Sequence, residues 1–456
     1  MFHFLRICIL LGFLFFNSPL HAQTFNTDEY EEISNTIIMS AMSDRQGFER
    51  LTEFVDYYPH RLSGSEMLEN SIDWIVEKMK EDRFDTVYTQ PVMVPHWERG
   101  NEYASFKEPY ERNLPVLGLG NSIATPDTGI TADVIAVRSF EELAQKADEI
   151  PGKIVLYNVP FTTYGETVQY RIRGAVMASR AGAVASLVRS VTPFSMQTLH
   201  TGTSALQDTA EAIPHAAITV EDANFIQRMQ DRGDTVRVHL YLEAKILPDK
   251  ESRNIIAEIR GSEFPDEIIT IGGHIDSWDV GQGVMDDAGG SFVSWEVARL
   301  LINLGINPKR TIRVVFWTNE ENGLNGARKY HEKAVEEGLE NHILAIESDG
   351  GIFKPIGFGF SGSEQATDIL KKIGSLLDQI ESGEIIKGGG GADISPLIQD
   401  GVPGMGLLTD RSKYFWYHHT NADVIDIIDK EEFRMNVATM AVFAYIVADM
   451  DQKLPR

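Results

Sequence analysis

Five short segments rich in histidine and carboxylate residues each follow an apolar run of the chain. They are GGHIDS (272–277), MDDAGG (285–290), NEENG (319–323), ESDGG (347–351) and YHHT (417–420). Imidazole and carboxylate groups bind divalent metals and act as general acids and bases. Taken singly, each segment is more typical of a helix cap, a turn or a solvated surface pair. Their joint occurrence, in order and at strand ends, predicts a single site.

The spacing within these segments allows specific roles. His274 and Asp276 are two residues apart, so an extended backbone places both side chains on one face. Asp276 could then accept the second N–H of the imidazole and fix its tautomer. Asp286 and Asp287 precede a predicted helix, where adjacent carboxylates could also be an N-terminal cap. Asp423 lies shortly after the last segment.

The donor types favour two metal ions. Two imidazoles and three carboxylates suit a pair of divalent cations roughly 3.5–4 Å apart that share one carboxylate and hold a hydroxide between them. The chain has 1 cysteine, so a thiolate cluster is excluded. The mixture of imidazole and carboxylate favours zinc, with cobalt or manganese as alternatives.

An alternation of apolar strands and amphipathic helices must position these groups. From Arg253 onward the predicted strands are 255–259, 268–271, 311–317, 342–346 and 405–408, and the predicted helices are 292–304, 324–337, 367–377 and 431–450. This pattern predicts an α/β fold with a mixed central sheet and helices on both faces. In such sheets, ligands bind beyond the carboxyl ends of the strands.

The chain divides into a catalytic unit and an inserted unit. Residues 23–118 contain two predicted helices, 47–58 and 66–82, and then strands. Residues 119–245 contain short β-like runs and their own apolar clusters, which predicts an inserted domain. Residues 246–456 complete the catalytic domain and carry the candidate site.

The charge composition limits the partners that the protein can bind, and the first residues indicate its location. The 456 residues include 67 acidic and 41 basic side chains, a formal net charge of −26. This surplus argues against binding nucleic acid or an anionic membrane through charge. Residues 1–22 have the pattern of a cleaved signal peptide, with an apolar run too short to span a bilayer. Removal of this segment takes the single cysteine, Cys8, and predicts a secreted or periplasmic protein.

The longest motif, GGHIDSWDVGQGVMDD (272–287), resembles the co-catalytic di-zinc exopeptidases, which include bacterial leucyl aminopeptidases and glutamate carboxypeptidases. Further similar stretches are ITVEDA (218–223), WTNEENG (317–323), ESDGG (347–351), DGVPG (400–404) and YFWYHHT (414–420). The likeness covers most of the chain after residue 22.

That resemblance implies a set of roles. One zinc would be held by His274, Asp286 and Asp349, and the other by Glu321, His419 and the shared Asp286. Asp276 would orient His274, Glu320 would be the general base, and a cis peptide would follow Asp286. The resemblance also implies the zinc-exopeptidase α/β fold, a β-rich protease-associated insert and a homodimer.

Four further residues are weaker candidates. Several relatives have tyrosine before the last histidine ligand, but this chain has His418, which is either an oxyanion or carboxylate contact or a structural histidine. Asp393 follows the glycine-rich run 388–391, which lacks the Gly-Lys-Ser/Thr of a phosphate loop and could line a substrate pocket. His200 could reach a site, either in its own chain or across a dimer, or lie in a surface turn. Arg61 could bind a substrate carboxylate in a bidentate manner or be structural.

The expected activity is hydrolysis of dipeptides or short peptides with free termini by an aminopeptidase, carboxypeptidase or dipeptidase. The first alternative is a single-zinc enzyme similar to the glutaminyl cyclases. The second is a non-catalytic binding ectodomain on the same fold, as in the transferrin receptor.

Overall fold

A computed structural model describes residues 25–206 and 211–456, which are organised by two eight-stranded sheets. The predicted signal peptide, residues 1–22, lies outside the described residues. No helix in the described ranges has both the length and the apolar character needed to cross a bilayer.

The strands follow one another along the described chain. They are β1 (Thr86–Glu98), β2 (Glu102–Glu108), β3 (Arg112–Leu114), β4 (Val116–Gly118), β5 (Ile130–Val137), β6 (Ile154–Tyr157), β7 (Ala185–Arg189), β8 (His215–Ile218), β9 (Arg237–Leu242), β10 (Lys245–Ile259), β11 (Phe264–His274), β12 (Arg310–Trp317), β13 (His342–Glu347), β14 (Pro355–Ser361), β15 (Glu384–Lys387) and β16 (Gly404–Thr409).

The α-helices connect these strands or cover the sheets. They are α1 (Glu31–Ser43), α2 (Gln46–Tyr57), α3 (Glu66–Glu81), α4 (Phe140–Gln145), α5 (Tyr164–Thr167), α6 (Gln169–Arg180), α7 (Val220–Asp231), α8 (Gly289–Asn303), α9 (Asn325–Glu337), α10 (Glu364–Gly374), α11 (Ser395–Gln399), α12 (Tyr414–Tyr417) and α13 (Lys430–Asp449).

The first sheet has the order β1-β10-β12-β11-β13-β16-β14-β15. Its central strands β12, β11, β13 and β16 run parallel, and the antiparallel strands β10 and β14 flank them. Every residue of β12 and β13 is buried, which explains their continuous apolar runs. The predicted α/β fold with a mixed central sheet is therefore confirmed.

Helices cover both faces of this sheet. Alternate residues of β12 point to opposite faces, so Val314 joins one apolar cluster and Val315 joins another. The first cluster contains side chains of α1, α2, α3, α8, α10 and α13, and the second contains side chains of α9 and α11. The predicted covering of both faces is present.

The second sheet has the order β3-β2-β9-β5-β6-β7-β8-β4 and begins earlier than the sequence indicated. The expected boundary at residue 119 assigned β2, β3 and β4 to the catalytic unit. In the structure β2 pairs with β9 and β4 pairs with β8, both antiparallel. These pairings join segments more than 90 residues apart, and the local alternation of residues 102–118 does not show them. The inserted unit therefore spans β2 to β9.

Two strands of the first sheet were absent from the sequence prediction. β14 has the sequence PIGFGFS, in which glycine weakens the strand pattern, and β15 has four residues. Both extend the sheet beyond β16, away from the catalytic segments.

An ion pair joins the two elements on either side of segment 319–323. Arg313 of β12 donates to both carboxylate oxygens of Glu337 of α9, at 2.7 and 3.2 Å, and its Nε donates to Glu258 at 2.7 Å. Burial acts to raise the pKa of Glu337, but the contact with His342 and the guanidinium of Arg313 outweigh it and hold that pKa well below its ordinary value. The pair therefore fixes α9 against the strand that leads to the site.

We expect Glu337→Gln to lower the free energy of unfolding by about 1–3 kcal/mol, because the buried guanidinium of Arg313 loses one of its two carboxylate partners and keeps only Glu258. Chemical unfolding at pH 7 measures this loss. The lowered pKa means that the stabilisation is present above the ordinary value of 4.5 and is lost as pH falls through the folded-state value. The difference in free energy of unfolding between the wild type and Glu337→Gln should therefore become smaller as the pH is lowered. Glu336→Gln, at an exposed neighbouring position, is the control, and an equal effect there would contradict the assignment.

Candidate metal centre

Strand β11 delivers His274 to the edge of the sheet, where hydrogen bonds fix its ring and backbone. Its Nδ1 lies 3.0 Å from the carbonyl oxygen of Asp276 and donates to it, so Nε2 is directed towards Asp286 and Asp349. Oδ2 of Asp287 accepts the backbone N–H of His274 at 3.1 Å, and Oδ1 accepts that of Gly290 at 3.1 Å. Asp287 is thus an anchor between β11 and α8.

The turn that carries Asp286 is held from the far end of the chain. The carboxylate of Asp423 accepts the backbone N–H groups of Val284, Met285 and Asp286 at 3.1, 2.8 and 3.2 Å. Burial raises the pKa of Asp423 to about 7. A cis peptide joins Asp286 to Asp287, as the resemblance led us to expect.

Asp286 lies between two imidazoles. Its Oδ1 is 3.3 Å from Nε2 of His274, and its Oδ2 is 3.3 Å from Nε2 of His419. Burial acts to raise the pKa of Asp286, but these two histidines outweigh it and hold that pKa well below its ordinary value. The carboxylate is therefore ionised and presents one oxygen to each side.

Each side of Asp286 has a further carboxylate. Oδ1 of Asp349, which follows β13, lies 3.6 Å from Nε2 of His274. Oε2 of Glu321, which follows β12, lies 3.0 Å from Nε2 of His419. The structure thus brings the five expected ligands together as two groups of three that share Asp286.

Several polar atoms at the centre have no hydrogen-bond donor among the described residues. They are His274 Nε2, Asp286 Oδ2, Glu321 Oε1 and Asp349 Oδ1, all buried. The buried carboxylates of Asp286, Glu321 and Asp349 repel one another unless positive charge lies between them. The donor set therefore fits two divalent metal ions.

Asp287 and His418 also bring a potential ligand atom within 4.8 Å of these groups. Both carboxylate oxygens of Asp287 already accept backbone N–H groups, so it is a poorer ligand than Asp286. The ring of His418 stacks on that of His419, with centroids 3.5 Å apart and planes at 21°, and its Nε2 is 3.5 Å from Asp286 Oδ2. Burial lowers the pKa of His418 well below its ordinary value, so this ring is neutral.

The Asp276 side chain has a different contact from the one expected. Its carboxylate is 3.8 Å from His274 Nδ1 and instead accepts the backbone N–H groups of Glu320 and Glu321 at 3.0 and 3.3 Å. Only its carbonyl orients the imidazole. Asp276 therefore anchors segment 319–323 to the end of β11.

Glu320 lies beside the two groups and lines a cleft of about 500 Å³. Burial raises the pKa of Glu320 well above its ordinary value, and the carboxylates of Asp349 and Glu321 add to that effect. The cleft lies between the two sheets, and its lining includes Tyr164, Arg171 and Thr203 of the insert and Arg411, Tyr414, Phe415 and His418 of the catalytic unit. An elongated polar molecule could reach Glu320 through it.

Comparison with known proteins agrees with this geometry. A model of Peptidase family M28 matches residues 254–444. Carboxypeptidase Q of Mus musculus is 45% identical over 430 residues, which cover 94% of this chain and 91% of that protein. A Peptidase M28 precursor from Shewanella amazonensis SB2B is 34% identical, with a TM-score of 0.89 over 94% of this chain and 99% of that chain. A zinc aminopeptidase from Bacillus subtilis shares the fold, with a TM-score of 0.67 at 20% identity over 90% of this chain and 96% of that chain.

The chain belongs to Peptidase family M28. It is a metallo-exopeptidase by class, and the family resemblance carried by its motifs is confirmed.

The insert of this M28 peptidase holds the His418–His419 turn directly. Nδ1 of His200 donates to the carbonyl of His418 at 2.8 Å. The backbone N–H of Thr201 donates to the carbonyl of His419 at 3.0 Å, and Nδ1 of His419 donates to the carbonyl of Thr201 at 3.2 Å. These contacts leave Nε2 of His419 facing Asp286, although His419 has a positive φ of 61°. His200 therefore lies within its own chain's site, buried behind the turn.

Arg61 does not face the cleft. Its guanidinium is fully buried and donates to the carbonyls of Ile275, Tyr58, Gln282 and Gly283, each at 2.8 Å. The hypothesis of a bidentate substrate contact is therefore wrong, because the donors are already used to tie loop 59–65 to the catalytic segments.

Asp393 is also buried, at 1% exposure, and it does not line the cleft. Burial raises the pKa of Asp393 well above its ordinary value, and Glu347 adds to that effect. Glu347 accepts the backbone N–H of Ile394 at 2.8 Å. The expected pocket contact through Asp393 is thus absent from this conformation.

The sequence did not single out Arg171, which contacts the segment that carries His200 and Thr201. Nη1 of Arg171 donates to the carbonyl of Thr201 at 3.1 Å, and Nη2 donates to the hydroxyl of Tyr164 at 2.9 Å. Such contacts join segments about 30 residues apart within the insert and more than 200 residues from His419. A local pattern carries no signal for them.

We expect His200→Ala to weaken divalent-metal binding by about 10–100-fold, because the turn that carries His419 loses a hydrogen-bond donor. Competition with a chromophoric chelator measures this affinity. His200→Asn should retain most of it, since the amide can donate to the same carbonyl. His215→Ala removes another buried histidine of the insert, whose ring contacts the carbonyls of Ser186 and Arg171. If His215→Ala lost as much metal affinity as His200→Ala, the loss would come from packing of the insert and not from the hydrogen bond to His418.

Proposed function

We propose that this M28 peptidase is a two-zinc enzyme that hydrolyses dipeptides or short peptides with free termini. The observation that supports it best is the pair of three-donor groups that share Asp286, with Glu320 beside them at the cleft. A single-zinc cyclase needs one such group, and a binding ectodomain needs none.

His274, Asp286 and Asp349 would hold one zinc, and Asp286, Glu321 and His419 would hold the other. The mixed imidazole and carboxylate donors suit zinc. When bound, zinc polarises a peptide carbonyl and makes water more acidic.

Glu320 is the general base of the proposed reaction. It is the cleft-lining glutamate that belongs to neither donor group, and its backbone N–H is fixed by Asp276 at 3.0 Å. Glu320 takes a proton from the attacking water and delivers it to the leaving amine. The neutral His418 ring, which also lines the cleft, donates a hydrogen bond to the developing oxyanion.

The shape of the cleft supports a short substrate. Tyr164, Arg171 and Thr203 of the insert form one wall and face the catalytic residues on the other. A long folded chain would have to pass between the two sheets, whereas a dipeptide fits within about 500 Å³.

Three further assignments come from the sequence and its resemblance. We propose that residues 1–22 direct export to a secreted or periplasmic location, that the insert is a protease-associated domain, and that the protein is a homodimer. Light scattering of the purified protein tests whether it is a dimer. The intact mass of the exported protein tests whether residues 1–22 have been removed.

We expect Glu320→Gln to retain two zinc ions per chain while kcat falls by about 10²–10⁴-fold, because the variant loses the proton acceptor and keeps the donor groups. The adjacent Glu321→Gln is the matched control, and it should lose metal as well as activity. Elemental analysis and peptide hydrolysis on the same samples measure both. Full activity in Glu320→Gln would refute the general-base assignment, and one zinc per wild-type chain would favour the cyclase alternative.

A panel of dipeptides with free, N-acetylated and C-amidated ends tests the substrate class. We expect hydrolysis of the free dipeptides. A requirement for the free amino end indicates an aminopeptidase, one for the free carboxyl end a carboxypeptidase, and one for both ends a dipeptidase. Chelation should abolish turnover, and added zinc should restore it. Inactivity towards the whole panel with zinc bound would support the binding ectodomain.

A further inference from the structure

Two arginines line the cleft of this acidic protein, one on each wall. Arg171 belongs to the insert, and Arg411 follows β16 in the catalytic unit. The cleft also presents the carboxylates of Asp286, Glu320, Glu321 and Asp349. Apart from the proposed metal ions, these two guanidiniums are the Arg or Lys cations in the lining of the described cleft, so they are the side chains available to an anionic group of a substrate.

Arg171 is already engaged in the fold. Its guanidinium is buried and donates to the Thr201 carbonyl and the Tyr164 hydroxyl. These bonds support the turn that carries His419, so Arg171 has a structural task on its wall.

Arg411 is held in place but has no anionic partner. Its Cζ lies 4.5 Å from the centroid of the Tyr414 ring, a cation–π contact. Among the described residues, none offers a carboxylate within 4.0 Å of this guanidinium or accepts a hydrogen bond from it. The neighbouring backbone is fixed, since Asp410 accepts the N–H of Ser412 at 3.0 Å and donates its own to Lys354 at 2.9 Å.

The position of Arg411 relative to the reacting groups suits a short peptide. The Tyr414 ring lies 5.2 Å from the His418 ring, and His418 Nε2 lies 3.5 Å from Asp286. One aromatic ring thus separates the guanidinium from His418 beside the metal centre. An extended peptide advances about 3.3–3.6 Å per residue, so a carboxylate shortly after the scissile bond can approach Arg411.

We propose that Arg411 is the specificity-determining residue that binds the free α-carboxylate of a dipeptide substrate. The planar guanidinium can donate to both oxygens of a carboxylate, and the contact with Tyr414 limits its movement. This inference rests on the proposed peptidase function and deepens it. It assigns the requirement for a free carboxyl end to a residue of the catalytic unit.

The test compares alanyl-alanine with its C-terminal amide in the wild type and in Arg411→Gln. We expect the wild type to prefer the acid, and Arg411→Gln to lose about 10–100-fold in kcat/KM on the acid, mainly through KM, with the amide unchanged. Arg411→Lys should recover part of the loss. Lys413→Gln removes another exposed cation two residues away, outside the cleft lining, and should match the wild type.

Binding measured without turnover separates this inference from the peptidase proposal. In zinc-loaded Glu320→Gln protein, calorimetry should give tighter binding of alanyl-alanine than of its amide, and adding Arg411→Gln should remove that difference. Equal binding of acid and amide before the arginine is replaced, or an unchanged preference afterwards, overturns the inference. A preference for alanyl-glutamate amide over alanyl-alanine would assign Arg411 to an acidic side chain and also overturn it. Absence of hydrolysis with the binding difference intact would refute the peptidase proposal alone.

Discussion

The carboxylate of Asp286 joins the two halves of the metal centre. Each of its two oxygens lies 3.3 Å from an imidazole, one from His274 and one from His419. Asp349 lies near the same nitrogen of His274, and Glu321 lies near the same nitrogen of His419. So many buried charges can lie together only if the loops that carry them are held firmly and cations balance them. The remaining structure around the site provides that hold.

Three further aspartates fix the loops without belonging to the two donor groups. Asp276 binds the backbone of segment 319–323, Asp287 binds β11 to α8, and Asp423 binds the turn before the cis peptide. Each accepts backbone N–H groups, so its oxygens are saturated. This division of labour explains why the site contains more carboxylates than two metal ions need.

The sequence indicated the proposed metal donors better than it indicated the three aspartates that anchor the loops. Apolar runs followed by histidine or carboxylate residues pointed to His274, Glu321 and Asp349, because the carboxyl ends of the parallel strands β11, β12 and β13 meet at one edge of the sheet. Asp286 and His419 lie in turns instead, and their assignment came from the family resemblance. The same residue types carry no local sign of whether they bind metal or backbone, and Asp276 was therefore given a contact that its carbonyl makes instead. The hypothesis for Arg61 failed for a related reason, since three of its four carbonyl partners, Ile275, Gln282 and Gly283, come from distant segments. The boundary at residue 119 failed because strand pairing between residues 102–118 and 215–242 is not local.

The contacts of Thr201 change the role of the insert. A lid that only covered the cleft would touch substrate and leave the catalytic unit complete without it. Here the backbone of Thr201 pairs with both the carbonyl and the imidazole of His419, a residue with positive φ that needs such support. The insert therefore cannot shift without moving a proposed metal ligand. Since Arg171 and Tyr164 belong to the same wall, the position of that wall against the substrate is set by the metal centre itself.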